Sequence, residues 1–339
     1  GWPPGANQWW EPLPPEKKLA YEEVVRACRK HGIQFCFCMN PNLGAKRFVD
    51  PELPKDLDAL WQHYAWMQGL GVKWFSICLD DISQGIDAAS HAKVVNDISR
   101  RLRAEDPEAQ MIFCPTVYAG TGKGGEAEAY LAALAKDLHQ DTYVFWTGDG
   151  VVTPRITRKA AEAYKGVVKH RLILWDNYPV NDSGPTIHLG PVTGRDPDLC
   201  EVIDGYMSNP LCPQNEINRI PLATCADYAY NPKGYDPARS IGQAISQLAE
   251  TEPQRQALKE LVEAYPGMLL FGGGTGVNPV RERHKRLAAA WDSRPLVQGH
   301  LRRMEELAAR FAQAFPDRFK DAQKTLAADI AWLKAAAKQ

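Results

Sequence analysis

Residues 74–81 read WFSICLDD, an apolar run with one serine that is closed by two adjacent aspartates. A run of this length is typical of a buried strand in a parallel sheet. Asp80 and Asp81 repel each other, and a carboxylate that leaves water costs free energy, so the pair needs an explanation. Solvated loop residues, or a cap for the next helix, would be a structural explanation. The rest of the chain favours a functional one.

The same unit repeats along residues 16–230, where helical patterns alternate with short apolar runs. The runs end near residues 40, 80, 117, 147, 177 and 208, and this alternation predicts a parallel sheet covered by helices. Every run ends in polar or aromatic residues: MNPN, LDD, PTVY, WTGD, WDNYPVND and MSNP. A doubly wound sheet would concentrate such residues at one switch point, and no GxGxxG follows a strand. The pattern therefore favours the (β/α)8 barrel, which keeps its site at the carboxyl ends of its strands.

The predicted fold is an α/β, TIM-type (β/α)8 barrel over residues 1–232 that lacks its first two β/α units, because six strands are found where eight are needed. Residues 233–339 are predicted to form a separate helical bundle domain. Its last two helices carry apolar stripes at helical spacing. The stripes consist of Leu301, Met304, Leu307, Phe311 and Phe315, and of Phe319, Ala322, Leu326, Ile330 and Leu333.

Composition narrows the class of protein. The 339 residues include 40 basic and 41 acidic side chains, so the near-zero net charge predicts neither a nucleic-acid nor an anionic membrane partner. No apolar stretch is long enough to span a bilayer. The eight cysteines form no CxxC pair, which argues against a zinc cluster. Their positions favour a reducing, cytoplasmic compartment or a protein that is indifferent to disulfides. Cys36 and Cys38 are expected to be buried on one face of a strand. The chain does not open on Met, so localisation is left open.

The residues at the strand ends are those that a sugar requires. Aromatic faces stack on the C–H surfaces of a pyranose, and amides, carboxylates and phenols bind its hydroxyl groups. Each of these residues alone is more often structural, but collected at successive strand ends they indicate a ligand site. The candidates are Tyr118, Trp146, Trp175, Asn177, Asp182 and Asn209.

Neighbouring carboxylates cannot flank a glycosidic bond from two sides. A retaining glycosidase with a carboxylate nucleophile holds its two carboxyl groups about 5–5.5 Å apart on opposite sides of the sugar. The pair Asp80 and Asp81 suits the substrate-assisted exception. One carboxyl protonates the leaving oxygen, and the other holds a substrate group that is itself the nucleophile.

Five motifs in this order resemble glycoside hydrolase family 84, the O-GlcNAcases and related β-N-acetylglucosaminidases: CLDDI (78–82), FCPTVY (113–118), FWTGDGVV (145–152), WDNYPVND (175–182) and GYMSNP (205–210). The resemblance covers roughly residues 10–235, and the helical tail is similar to the domain that follows the barrel in that family. It implies a retaining β-N-acetylglucosaminidase in which the 2-acetamido group of the substrate forms an oxazoline. It further implies that Asp80 stays ionised against the acetamido N–H, while Asp81 is the general acid and base.

The resemblance also implies the substrate contacts. Tyr118 lies near the acetamido group, Trp175 lines its pocket, Asn177 lies beside the reacting sugar, and Asp182 and Asn209 bind hydroxyl groups. The implied substrate is an N-acetylglucosaminide on a protein or a glycan. Neither a metal nor an organic cofactor is implied.

One departure from the family leaves alternatives open. Family members begin with a strand that carries a glycine and a second strand that carries a lysine followed by paired aspartates, and neither is found here. The chain is then a fragment, or a partner chain or second copy completes the barrel, or the units are lost and a catalytically impaired sugar-binding remnant is left. A different hypothesis for the function is a divalent-metal site for hydrolytic chemistry. Its ligands would be the carboxylates of Asp80, Asp81, Asp149, Asp176 and Asp182.

Overall fold

The computed structural model of the chain describes residues 7–182, 184, 186–212, 216–271, 274, 276–291 and 293–337. It contains one sheet of six strands, which neighbour one another in chain order from first to last. The strands are β1 (Cys36–Met39), β2 (Trp74–Cys78), β3 (Gln110–Cys114), β4 (Tyr143–Trp146), β5 (Arg171–Asp176) and β6 (Gly205–Ser208).

The six strands coincide with the six apolar runs of the sequence. The pairs from β1 to β5 are parallel, as the alternation of strands and helices predicts. All four residues of β4 are buried, and so are the last four of β2 and of β3, which is why these strands are almost uniformly apolar. An α/β fold with a six-stranded parallel sheet is thus confirmed, and an eight-stranded barrel stays a prediction.

Helices separate the strands. They are α1 (Pro15–Lys30), α2 (Pro54–Gly69), α3 (Ala88–Glu105), α4 (Gly125–Asp137) and α5 (Arg158–Val168). Their ends follow local chemistry. The Asp87 side chain caps α3 by accepting a hydrogen bond from the Ser90 N–H. After α1, Gly32 adopts a left-handed φ of 67°, a conformation that favours glycine.

The alternation within β1 is visible in its burial. Phe37 is buried, whereas Cys36 is half-buried and Cys38 is exposed. The expected burial of Cys38 is therefore wrong. Among the described residues β1 is the end strand of the sheet, so it has one neighbouring strand and not two.

The chain divides into two compact units. The first comprises residues 1–149, 159–174 and 202–204, and the second comprises residues 150–158, 175–201 and 205–339. The predicted domain boundary between residues 232 and 233 stays a prediction.

Six of the helices belong to the second unit. They are α6 (Arg219–Tyr230), α7 (Pro237–Leu248), α8 (Glu252–Ala264), α9 (Pro279–Ala288), α10 (Ser293–Ala314) and α11 (Lys320–Ala336). Pro221 lies in the first turn of α6, where a missing N–H breaks no helical hydrogen bond. Both predicted stripes contribute to one apolar core, in which Phe311, Phe315 and Phe319 are at most 2% exposed. In the described part of the chain, no helix combines the length and the apolar character needed to cross a bilayer.

Candidate active site

The backbone leaves strand geometry at the aspartate pair. β2 ends at Cys78, and Asp81 adopts a φ of 55°, in the left-handed region. Aspartate tolerates this conformation better than most residues, although it still costs on the order of 1 kcal/mol. As a result Asp80 is half-buried and Asp81 is exposed. The two adjacent carboxylates thus occupy different environments, which is the condition for two different roles.

Asp80 has a fixed partner on the neighbouring strand end. The Asn40 amide, just beyond β1, donates to the Asp80 carboxylate Oδ1 at 3.0 Å and to the Asp80 carbonyl at 3.3 Å. Asn40 is not among the residues predicted from the sequence. Its position in MNPN, at the carboxyl end of the strand next to β2, was the available signal.

Burial, together with the charge of Asp81, raises the pKa of Asp80 to about 6. The expectation that Asp80 is ionised against the acetamido N–H of the substrate stays a prediction. In the free protein the Asp80 carboxyl is about nine-tenths ionised at pH 7 and gains protons readily below that. A substrate N–H donated to this carboxylate would favour the ionised form again.

Asp80→Asn is expected to stabilise the protein in a pH-dependent way. The folded-state pKa of about 6 exceeds the ordinary value of 3.8, so the stability that a protonated Asp80 contributes is lost as the pH rises through 6. At pH 8 the amide should raise the free energy of unfolding by about 1–3 kcal/mol, and at pH 4 by far less. Urea unfolding at both pH values measures this. The exposed Asp137, at the end of α4, gives the matched control Asp137→Asn, and an equal gain at both pH values contradicts the prediction.

Tyr118 joins the aspartate pair. Its hydroxyl donates to Asp81 Oδ1 at 2.7 Å. Burial, followed by this hydrogen bond, raises the pKa of Tyr118, so the phenol keeps its proton. The loop is held by Tyr164, whose hydroxyl donates to the Val117 carbonyl, and by the Thr147 N–H, which donates to the Tyr118 carbonyl. Three predicted residues, Asp80, Asp81 and Tyr118, are thus brought together.

Trp146 is placed differently from its predicted role as a sugar contact. Its ring is fully buried and stacks on Tyr164, and its indole N–H donates to the Gly120 carbonyl at 2.9 Å. A side chain without exposed surface offers no face to a sugar, so this assignment is corrected. Trp146 instead supports the loop that begins beyond Tyr118.

In the second unit, two predicted residues bind each other. The Asn209 amide donates to the Asn177 side-chain oxygen at 2.9 Å, and the Asn177 amide donates to the Val151 carbonyl at 2.7 Å. Both asparagines are half-buried. The two amides are therefore held in fixed orientations, as hydrogen-bonding groups for a sugar need to be.

A buried ion pair supports these asparagines. Arg195 binds Asp176 in a bidentate manner at 2.7 and 2.5 Å, and both side chains are 1% exposed. The Tyr206 hydroxyl donates to the same carboxylate at 2.7 Å, and the Asp176 carbonyl accepts from the Asn209 N–H at 2.9 Å. Asp176 precedes Asn177 directly, so the pair fixes the backbone that carries both amides. Arg195 is not among the residues predicted from the sequence.

Trp175 is half-buried, and Asp182 is exposed in a turn. Their substrate contacts stay predictions. In the divalent-metal hypothesis, Asp176 is not available as a ligand. Its carboxylate already accepts hydrogen bonds from Arg195 and Tyr206. Within the described ranges, three side chains do bring metal-ligating atoms within 4.8 Å of one another, but these are Cys78, Asp80 and Cys114 and not the five aspartates.

Comparisons with known proteins agree on one family. A family model described as beta-N-acetylglucosaminidase matches residues 3–263. A mutant of the O-GlcNAc hydrolase of Thermobaculum terrenum is 25% identical with a TM-score of 0.80, and the match covers 96% of this chain and 72% of that one. CpGH84B is 22% identical with a TM-score of 0.74, over 96% of this chain and 60% of that one, which shows a shared fold.

Proposed function

The chain belongs to the beta-N-acetylglucosaminidase family of glycoside hydrolases, and we propose that it cleaves β-linked N-acetylglucosamine with the help of the substrate's own 2-acetamido group. The proposed substrates carry O-linked N-acetylglucosamine on a protein or a glycan. One of the similar structures is an O-GlcNAc hydrolase, which favours the protein-linked sugar.

The observation that carries this proposal is the pair of adjacent carboxylates in unequal environments. Asp80 is half-buried and accepts a hydrogen bond from Asn40, whereas Asp81 is exposed and accepts one from Tyr118. Two carboxylates on neighbouring residues suit neighbouring atoms of one sugar better than opposite faces of its ring. Asp80 is therefore proposed to accept the acetamido N–H, and Asp81 to act at the glycosidic oxygen.

In the first step, the acetamido oxygen attacks the anomeric carbon, and the bond to the leaving oxygen breaks. Asp81 transfers its proton to that oxygen, as a general acid does. The positive charge spreads over the new oxazoline ring, whose N–H donates to Asp80. Because Asp80 is removed from bulk water, its negative charge stabilises the developing cation more strongly than a solvated carboxylate would.

In the second step, Asp81 takes a proton from water, and the water oxygen attacks the anomeric carbon as the oxazoline opens. The acetamido group is restored, and two inversions give net retention. Tyr118 remains hydrogen-bonded beside Asp81 and is proposed to orient it. Trp175 is proposed to line the acetamido pocket, and the proposed hydroxyl contacts are Asn177, Asp182 and Asn209.

Fluorination of the acetamido group tests the mechanism. Each fluorine withdraws electrons from the carbonyl oxygen, so kcat/KM for fluorogenic N-acetyl, N-fluoroacetyl and N-trifluoroacetyl glycosides should fall steeply along the series. A carboxylate nucleophile would leave the three rates similar, which contradicts the proposal. Asp137→Asn serves as the control that should preserve the whole series, and activity that survives EDTA would remove the divalent-metal alternative.

The second candidate is a sugar-binding protein without turnover. It is favoured if folded chain releases no fluorophore yet binds an unreactive N-acetylglucosaminide in calorimetry. Turnover that Asp80→Asn reduces would exclude it.

A further inference from the structure

A group of sulfur and oxygen atoms lies at the base of the aspartate pair. Cys78 ends β2 and Cys114 ends β3, and the two residues are direct partners in the parallel register. Asp80 follows Cys78 by two residues, just beyond the end of β2. One atom from each of these three side chains lies within 4.8 Å of the other two.

We propose that Cys78, Cys114 and Asp80 form a binding site for a thiophilic divalent cation such as Zn²⁺ or Cd²⁺, and that the bound cation inhibits the enzyme. The inhibitory part rests on the function proposed above. The proposed hydrolysis does not use the two thiols. Asp80 is the one proposed ligand of the cation that also takes part in that reaction.

The donor set selects the kind of cation. Two sulfur atoms and one carboxylate oxygen suit zinc and cadmium, whereas magnesium and calcium prefer oxygen ligands in greater number. Bonds of about 2.3 Å in a tetrahedral site place sulfur ligands about 3.8 Å apart, so donors within 4.8 Å need only a small adjustment. A fourth position is left for water or for Cys38, whose sulfur lies 3.2 Å from that of Cys78.

The surroundings favour retention of the cation. Cys78 is 3% exposed and Cys114 is 2% exposed, so few water molecules compete for the metal. Asp80 is half-buried and provides the exposed side of the group. Binding displaces the two thiol protons to solvent and leaves two thiolates and one carboxylate around a doubly charged ion.

Inhibition follows from the shared carboxylate. An oxygen bound to the cation is a poor acceptor for the acetamido N–H, and the added positive charge opposes the cationic oxazoline. Zinc should therefore lower kcat/KM for an N-acetylglucosaminide, and chelation with EDTA should restore the original value.

Direct binding is tested without turnover. The 339-residue chain is titrated with CdCl₂ in a thiol-free buffer, and the ultraviolet charge-transfer band of cadmium thiolates is recorded. We expect one Cd²⁺ per chain, with the affinity reduced at least about tenfold by Cys78→Ser and by Asp80→Asn. Cys28→Ser, which removes a half-buried thiol on α1, should leave the titration unchanged. A missing band, or a band that Cys78→Ser leaves intact, overturns the site.

The two proposals fail separately. Metal-free chain that hydrolyses the glycoside but shows no cadmium band overturns the metal site and leaves the function standing. A band without any turnover supports the site and contradicts the function. Binding of zinc that leaves kcat/KM unchanged overturns the inhibitory role. Circular dichroism of each variant confirms that its fold is retained, and Asp80→Asn tests the site without a change to either buried thiol.

Discussion

Asp81→Asn is expected to lower kcat about 10²–10⁴-fold on a substrate whose leaving group is an alcohol, such as serine-linked N-acetylglucosamine. The amide has no acidic proton to transfer to the leaving oxygen and no basic oxygen with which to activate water. An acidic phenol leaves without protonation, so the first step should be nearly normal on an aryl glycoside. Comparison of the two substrates therefore separates the acid role from the base role.

The asparagine is the informative replacement because of the local backbone. Asp81 has a φ of 55°, which asparagine also tolerates, whereas alanine would add on the order of 1 kcal/mol of strain. Tyr118→Phe is the companion variant, since it keeps the carboxylate and removes the 2.7 Å hydrogen bond. A loss of about tenfold is expected there. If Asp81→Asn retains kcat within about threefold on both substrates, Asp81 is not the acid and base.

Arg195→Ala is expected to destabilise the protein by about 3–5 kcal/mol, because it leaves the Asp176 carboxylate buried without its cation. Both side chains are 1% exposed, so water cannot replace the guanidinium. A loss of this size is a large fraction of the 5–15 kcal/mol typical of folded domains. Urea unfolding, followed by tryptophan fluorescence, measures it.

Two further variants identify the cause of that loss. Tyr206→Phe removes one hydrogen bond to the same carboxylate and should cost about 1.5–3 kcal/mol. A double variant, Asp176→Leu with Arg195→Met, removes both charges and should cost less than Arg195→Ala alone. If the double variant is the less stable of the two, an uncompensated buried charge is not the cause of the loss.

The resemblance to glycoside hydrolase family 84 drawn from five short motifs is confirmed by the family match over residues 3–263. The prediction of six parallel strands is also confirmed. A strand that is covered on both faces is apolar along most of its length. Phe75, Ile77 and Val144 illustrate this, since each is fully buried. The stripes of α10 and α11 were predictable for the same reason, as burial imposes a period on the sequence.

Contacts across the sheet were not predictable in this way. Asn40 meets Asp80 across 40 residues, and Cys78 meets Cys114 across 36, because parallel register brings these strand ends together. Periodicity reports that a residue is buried or exposed, but it does not report which residue lies opposite.

The chain's sequence by itself determined the strands, the helices, the family and the position of the aspartate pair, since these depend on local composition and spacing. Only the tertiary structure decided how each group is used. It turned the backbone at Asp81, buried Asp80 enough to raise its pKa to about 6, and placed Trp146 in the core. Burial and charge depend on everything that packs around a side chain, and that packing comes from parts of the chain far apart in sequence.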